Sequence, residues 1–168
     1  RVLESSPGLE VIEIGCPAGH ETWGDHDLEL PTSTVRPDRD FGGQRFVFHQ
    51  VAEAEWKPWR IEGFEFRDTG IGAATHGLAG VRVVRPLGSV TTQGCSHDGE
   101  FCFLFALTGG LTLTCEGRGI QRMVAGDSCV VPAQQRHALT DCSDGLELLE
   151  VSLPATLATQ RHSVLVEA

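Results

Sequence analysis

Apolar residues in this chain come in short runs separated by Gly, Pro and Asp, and within most runs apolar and polar positions alternate, the period of a half-buried strand. The pattern predicts strands at "GLEVIEI" (8–14), "GQRFVFH" (43–49), "GFEFRD" (63–68), "GVRVVRP" (80–86), "FCFLFAL" (101–107), "GLTLTCEG" (110–117), "SCVVP" (128–132) and "GLELLEVSLP" (145–154). Only "VAEAEWKPW" (51–59) hints at a helical turn, and Pro58 limits it. Many short strands joined by Gly-rich turns predict an all-β sandwich or barrel, since a closed antiparallel sheet leaves no edge exposed. "FCFLFAL" is apolar at every position, which predicts a wall strand buried on both faces and covered outside by an arm or a partner subunit. Residues 15–43 are polar and rich in Pro, Asp and Gly, and read as an extended arm.

The chain also repeats itself. "SPGLEVIEIGCPAGHET" begins at Ser6 and "SDGLELLEVSLPATLAT" at Ser143, an offset of 143 − 6 = 137 positions. The offset aligns Gly8 with Gly145, Glu10 with Glu147, Glu13 with Glu150, Pro17 with Pro154, Ala18 with Ala155 and Thr22 with Thr159. Shared alternation explains the strand positions but not the Pro-Ala pair or the Thr, so a duplicated ancestor is expected. Subtracting the offset from His137 lands just before Arg1, which would put the body of the earlier copy upstream of this chain. The expected organisation is an arm over 1–59 holding the last strand and tail of that copy, a barrel over 60–155 and a tail over 156–168.

Charge narrows the partners. Lys and Arg number 13 against 23 Asp and Glu, a formal net charge of −10, and the cations are scattered, so neither nucleic acid nor an anionic membrane is an expected partner. No apolar run approaches the roughly 20 residues of a spanning helix, and no signal peptide is visible at Arg1. Six cysteines (16, 95, 102, 115, 129 and 142) lie in apolar, strand-like contexts, which favours reduced thiols and a cytoplasmic setting. Cys16, Cys115, Cys129 and Cys142 read as small buried hydrophobes. Attention narrows to Cys95 and Cys102, which bracket "CSHDGEFC".

From Gly94 onward the residues fall into two clusters. "GDSCVVPAQQRHALTD" holds Gly126, five residues, Pro132 and His137, and "CSHDGEFCFLFALTGG" holds Cys95, His97, Cys102 and Gly109. In this order they resemble the two motifs of the cupin superfamily, small double-stranded β-helix (jelly-roll) barrels. In the second motif Gln134 stands where a glycine is expected and Asp141 where an asparagine is. In the first, Cys95 and His97 fall on the two histidine positions and Cys102 on the acidic one. "HDGEFCFLFALTG", "GDSCVVPAQQRH" and "GLELLEVSLPA" also follow the order seen in the C-terminal barrel of uncharacterised two-domain cupins (bicupins). That likeness covers about 60–155.

The resemblance implies a metal inside the barrel, with Cys95, His97, Cys102 and His137 as its candidate ligands. Residues two apart on a strand face one side, so Cys95 and His97 share the interior or the solvent, and a strand starting near His137 would bring its imidazole opposite them. Such a thiolate and imidazole set suits a divalent transition metal, Fe, Zn, Ni or Cu. The activity implied is a metal-dependent oxygenase or isomerase of a small organic substrate, dioxygenase-like in type, in a homodimer. The alternative is a non-catalytic small-ligand-binding or sensing module with a degenerate metal site. A third is redox sensing by Cys95 and Cys102. Catalytic residues are not assigned by the sequence.

Weaker candidates have structural readings. Asp98 or Glu100 could supply a ligating carboxylate, but "DGE" also reads as a solvated turn. His49 and His76 read as polar strand-end residues, Trp56 and Trp59 as packing or a barrel-mouth cap, and Arg67 with Asp68 as a structural pair. Gln121 and Arg122 could reach the mouth; His20, His26 and His162 lie in arm or tail. No serine-hydrolase elbow, phosphate-binding glycine loop or zinc-ribbon spacing is present.

Overall fold

The computed structural model describes residues 4–15, 19, 26–27, 29, 32–34, 36, 38–88, 90 and 92–163. Cys16 and His20, and Pro17, Ala18 and Thr22 of the repeat, lie outside the described residues. The chain divides into two units, Arg1–Arg36 and Pro37–Ala168.

In the first unit the described residues form no strand or helix. The strand expected at 8–14 is therefore corrected: Leu9, Val11, Ile12 and Ile14 are exposed, and the alternation finds no ladder partner to turn it into a strand. The strand expected at 43–49 is corrected in the same way. It makes only an isolated bridge between Asp40 and Arg45, and Phe46 and Phe48 are exposed.

The second unit opens with a single 3-10 turn, Val51–Glu53, followed by β1 (Trp56–Pro58), β2 (Phe64–Asp68), a one-turn helix α1 (Ile71–Ala74) and β3 (Gly80–Pro86). Then come β4 (Gly94–His97), β5 (Phe101–Thr108), β6 (Gly110–Cys115), β7 (Gly119–Val124) and β8 (Ser128–Val130). β9 (His137–Thr140), β10 (Glu147–Leu153) and β11 (Thr159–His162) complete it. The order is β1-β2-β3-β10-β5-β8 in one sheet and β11-β4-β9-β6-β7 in the other, with every pairing antiparallel. Sequence neighbours repeatedly sit in opposite sheets, the winding of a jelly roll.

Alternation explains the two layers. On β5, Cys102, Leu104 and Ala106 are buried while Phe101, Phe103 and Phe105 are half-buried and stack at centroid separations of 6.4 and 6.5 Å. One face is core, and the other is a phenylalanine ladder that is half-buried in the single chain. Phe64, Val84 and Leu148 of the first sheet meet Leu111 and Leu139 of the second in one core cluster. Burying each such side chain contributes about 1.5–3 kcal/mol.

The two departures in the second motif both fall on left-handed backbone, Gln134 at φ 62° and Asp141 at φ 48°. A glycine takes such a conformation without strain and an asparagine tolerates it. Gln134 is held there by its own N–H, which donates to the His97 carbonyl at 2.8 Å. Among the described residues no helix is long and apolar enough to cross a membrane.

Candidate functional site

β4 is where the two halves of the predicted site meet. Cys95 and His137 are Cα partners across β4 and β9, and on the other side of β4, Arg161 and Thr159 of β11 are partners of Cys95 and His97. Directly opposed residues in an antiparallel pair project to the same face. Arg161, Cys95 and His137 therefore form a row across three strands. From the opposite sheet, Cys102 of β5 and Glu150 of β10 are fully buried.

The row ends in a contact. Cys95 Sγ and His137 Nε2 are 3.5 Å apart, while His137 Nδ1 is 3.0 Å from the Gln135 carbonyl. A carbonyl can only accept, so Nδ1 carries the proton and Nε2 offers its lone pair to the thiol. Burial, foremost, drives His137 down to about 4, against the Gln135 bond, and holds it neutral. His97 is arranged the other way. Its Nε2 donates to the Val131 carbonyl at 2.9 Å, leaving Nδ1 buried with no hydrogen-bond partner among the described residues. The two imidazole centroids are 6.4 Å apart.

The residues the sequence did not single out are Arg60 and Glu150. Glu150 Oε2 accepts from Arg60 Nη2 at 2.6 Å and Nε at 3.0 Å; Oε1 accepts from Trp59 Nε1 at 3.3 Å and faces Arg82 Nη1 at 3.6 Å. Arg60 Nη2 also reaches Cys102 Sγ at 3.8 Å, and its Nη1 lies 3.4 Å from Thr159 Oγ1. Burial opposes the Arg60 charge, but the Glu150 carboxylate leads the opposing effects, and the net direction is up. A guanidinium thus stands among the groups that the motif resemblance assigns to a metal. The signal for Glu150 was present: alternation puts it on the face of Leu146 and Leu148, where a solvated acid does not belong. Nothing in "WKPWRIEG" announced Arg60.

A cleft of about 360 Å³ reaches this cluster. Arg60 and Cys95 line it, with Thr159, Gln93, Glu62 and Arg161 among its other walls. Arg161 Nη1 pairs with Glu62 at 3.1 Å, both well exposed, so this pair adds little to stability.

The fit of a metal can be judged from the donors. Among the described residues no group of three or more His, Cys, Asp or Glu could hold a metal ion. Cys102 is pushed up to about 12 by burial and by Glu150, despite Arg60, and Cys95 is raised by burial. A metal binding here would have to displace the thiol protons. As placed, Cys95, His97, Cys102 and His137 are not gathered into such a group.

The remaining candidates are structural. Asp98 Oδ1 accepts from the Ala158 N–H at 3.0 Å, and Glu100 is exposed. Arg67 and Asp68 do not pair with each other, because adjacent strand residues face opposite sides. Arg67 Nη1 is 3.3 Å from His49 Nε2, and Asp68 lies 3.9 Å from Arg82. Trp56 stacks under Arg85 at 3.8 Å, Trp59 is buried against Glu150, and His162 contacts Ser96 at 2.9 Å. Arg122 Nη1 is engaged by the Asp141 carbonyl at 3.0 Å, and Gln121 is exposed beside it on β7. His76 and His26 are exposed. Cys115, Cys129 and Cys142 are half-buried free thiols rather than fully buried ones.

No protein-family model and no curated protein sequence matches the chain. Solved structures do. The polyketide cyclase RemF from Streptomyces resistomycificus superposes with a TM-score of 0.56 at 13% identity, covering 69% of this chain and 84% of that one. KdgF from Halomonas sp. gives 0.54 at 16%, covering 64% and 94%. A Streptomyces nucleoside dehydratase solved with uridine gives 0.52 at 18%, covering 71% and 92%. All three are cupin-fold proteins, and the fold of this chain is the cupin β-barrel.

Proposed function

We propose that this barrel binds a small organic anion and that Arg60, held by Glu150, provides the positive charge that a metal would otherwise supply. The observation that carries this reading is the position of Arg60: its guanidinium lines the cleft, touches Cys102 and is fixed from behind by a buried carboxylate. A guanidinium presents planar N–H donors suited to a carboxylate, and enclosure in a barrel strengthens that attraction relative to water. The cleft volume lies at the lower end of the range for small-molecule sites, about 300–1,000 Å³. The cupin-fold neighbour solved with uridine supports a small ligand in a barrel of this kind.

The test is binding of a panel of small carboxylates, read by thermal shift and calorimetry on protein before and after chelator treatment. The expected result is binding that survives the chelator and is lost in the double variant Arg60→Gln/Glu150→Gln, which keeps an uncharged pair in place. Binding that needs a stoichiometric metal would overturn it. The second reading is the metal-dependent oxygenase or isomerase that the motif resemblance implies, using Cys95, His97, Cys102 and His137. The unpartnered Nδ1 of His97 favours it. It requires Arg60 to leave the cluster, so metal uptake should rise in Arg60→Gln and fall in His97→Gln.

A further inference from the structure

Cys95 is set apart from the other thiols by three features that coincide. Its Sγ touches the lone-pair nitrogen of a buried imidazole, at 3.5 Å. That imidazole is oriented from its far side by a backbone carbonyl, at 3.0 Å. And Cys95 shares a cleft wall with Arg60, the only one of the described cysteines to line that cleft. A nucleophile, a base that contacts it and a third group that orients the base make up the arrangement on which thiol catalysis depends. Cys102 lacks it: this thiol faces Glu150 at 4.0 Å and Arg60 at 3.8 Å.

We propose that Cys95 is a nucleophile toward electrophilic organic acids, with His137 as its proton acceptor and Arg60 as the group that seats the carboxylate. The inference rests on the anion-binding reading of Arg60 and deepens it by naming the ligand class, α,β-unsaturated acids. In the step, Sγ bonds to the β-carbon while the Sγ–H proton passes to Nε2 of His137. The π pair moves to the α-carbon, which takes the proton back from the imidazolium. The net change is addition of S–H across the double bond, with no other reactant, and it reverses along the same route. Because Nδ1 carries the proton on the Gln135 carbonyl, Nε2 turns its lone pair toward Sγ.

The charge of Arg60 gives the proposal its test. Iodoacetamide and iodoacetate alkylate by the same displacement, and only the second carries a carboxylate. The rates are followed cysteine by cysteine by peptide mass spectrometry on the whole chain. The expected result is that Cys95 reacts with iodoacetate faster than with iodoacetamide, by about tenfold, while the half-buried Cys115, Cys129 and Cys142 show no such preference. In Arg60→Gln/Glu150→Gln the preference disappears. In His137→Gln both Cys95 rates fall by about a hundredfold, and His137→Asn repeats the measurement should the first variant fold poorly. Benzoylacrylate should add to Cys95 with loss of its enone absorbance, and the adduct should release it on dilution.

The two layers fail separately. Cys95 labelled equally by both reagents, with His137 still required, leaves a nucleophile and removes the role of Arg60, overturning the anion-binding reading. Cys95 unreactive to both while small carboxylates still bind overturns the nucleophile and leaves the binding site standing.

Discussion

Replacing Glu150 with Gln should destabilise the barrel far more than an ordinary surface substitution, because this one carboxylate serves two guanidiniums and an indole. Arg60 Nη2 is 2.6 Å and Arg82 Nη1 3.6 Å from its oxygens, and the Glu150 side chain is 0% exposed. Gln keeps the shape but removes the charge and turns an N–H donor toward cations. Breaking a buried pair by neutralising one partner costs about 3–5 kcal/mol, since the other charge stays buried without compensation. With a urea m-value of about 2 kcal/mol/M, the midpoint should fall by about 2 M. Unfolding can be followed by tryptophan fluorescence, because Trp59 Nε1 donates to this carboxylate at 3.3 Å and its ring lies under Arg60 at 4.6 Å. Arg60→Met should cost less, because Arg82 and Trp59 still satisfy the carboxylate. The double variant Arg60→Met/Glu150→Gln should recover part of the single loss, giving a coupling above about 1 kcal/mol in the cycle. A loss under about 1 kcal/mol for Glu150→Gln, or strict additivity in the cycle, would refute the pair as the organising interaction of the interior.

Two further outcomes follow from the same geometry. His137 is held at about 4 in the fold against an ordinary value of 6.5, so between those pH values the unfolded chain binds the extra proton. Its contribution, about 3 kcal/mol, is complete above pH 6.5 and lost as pH falls toward 4; urea midpoints of the wild type and His137→Gln should converge across that window. At Gly63, φ is +87° and an added Cβ would sit 2.7 Å from Val90 Cγ1. Gly63→Ala should therefore cost about 1–3 kcal/mol of stability and weaken carboxylate binding by shifting Val90 at the cleft wall, both measurable in one thermal-shift series.

The all-β class was legible because alternation, or in β5 a short continuous apolar run, agrees with the turn residues over β2, β3, β5, β6, β8 and β10. Periodicity reports which face an extended segment presents, not whether a neighbour exists to complete its ladder. That is why 8–14 and 43–49 match a strand in pattern without being strands. The opposite error hid β4 and β9, where "GCSH" and "HALT" are too short and too polar to alternate visibly. Their polar residues face inward, and it was the motif resemblance, not the pattern, that marked Cys95, His97 and His137. Arg60 escaped both routes. It follows the short edge strand β1, outside either motif, and its role depends on a contact with a residue 90 positions away.

That origin on an edge segment has a consequence for supply. A metal centre is filled in proportion to the free metal around it, and a chelator or a competing ion can empty it. Arg60 is attached to the chain, so its concentration at the cluster is fixed by covalent geometry and not by any external reservoir. A barrel built this way would keep the same interior charge in metal-starved and metal-replete surroundings. Its ligand occupancy would then follow the ligand alone.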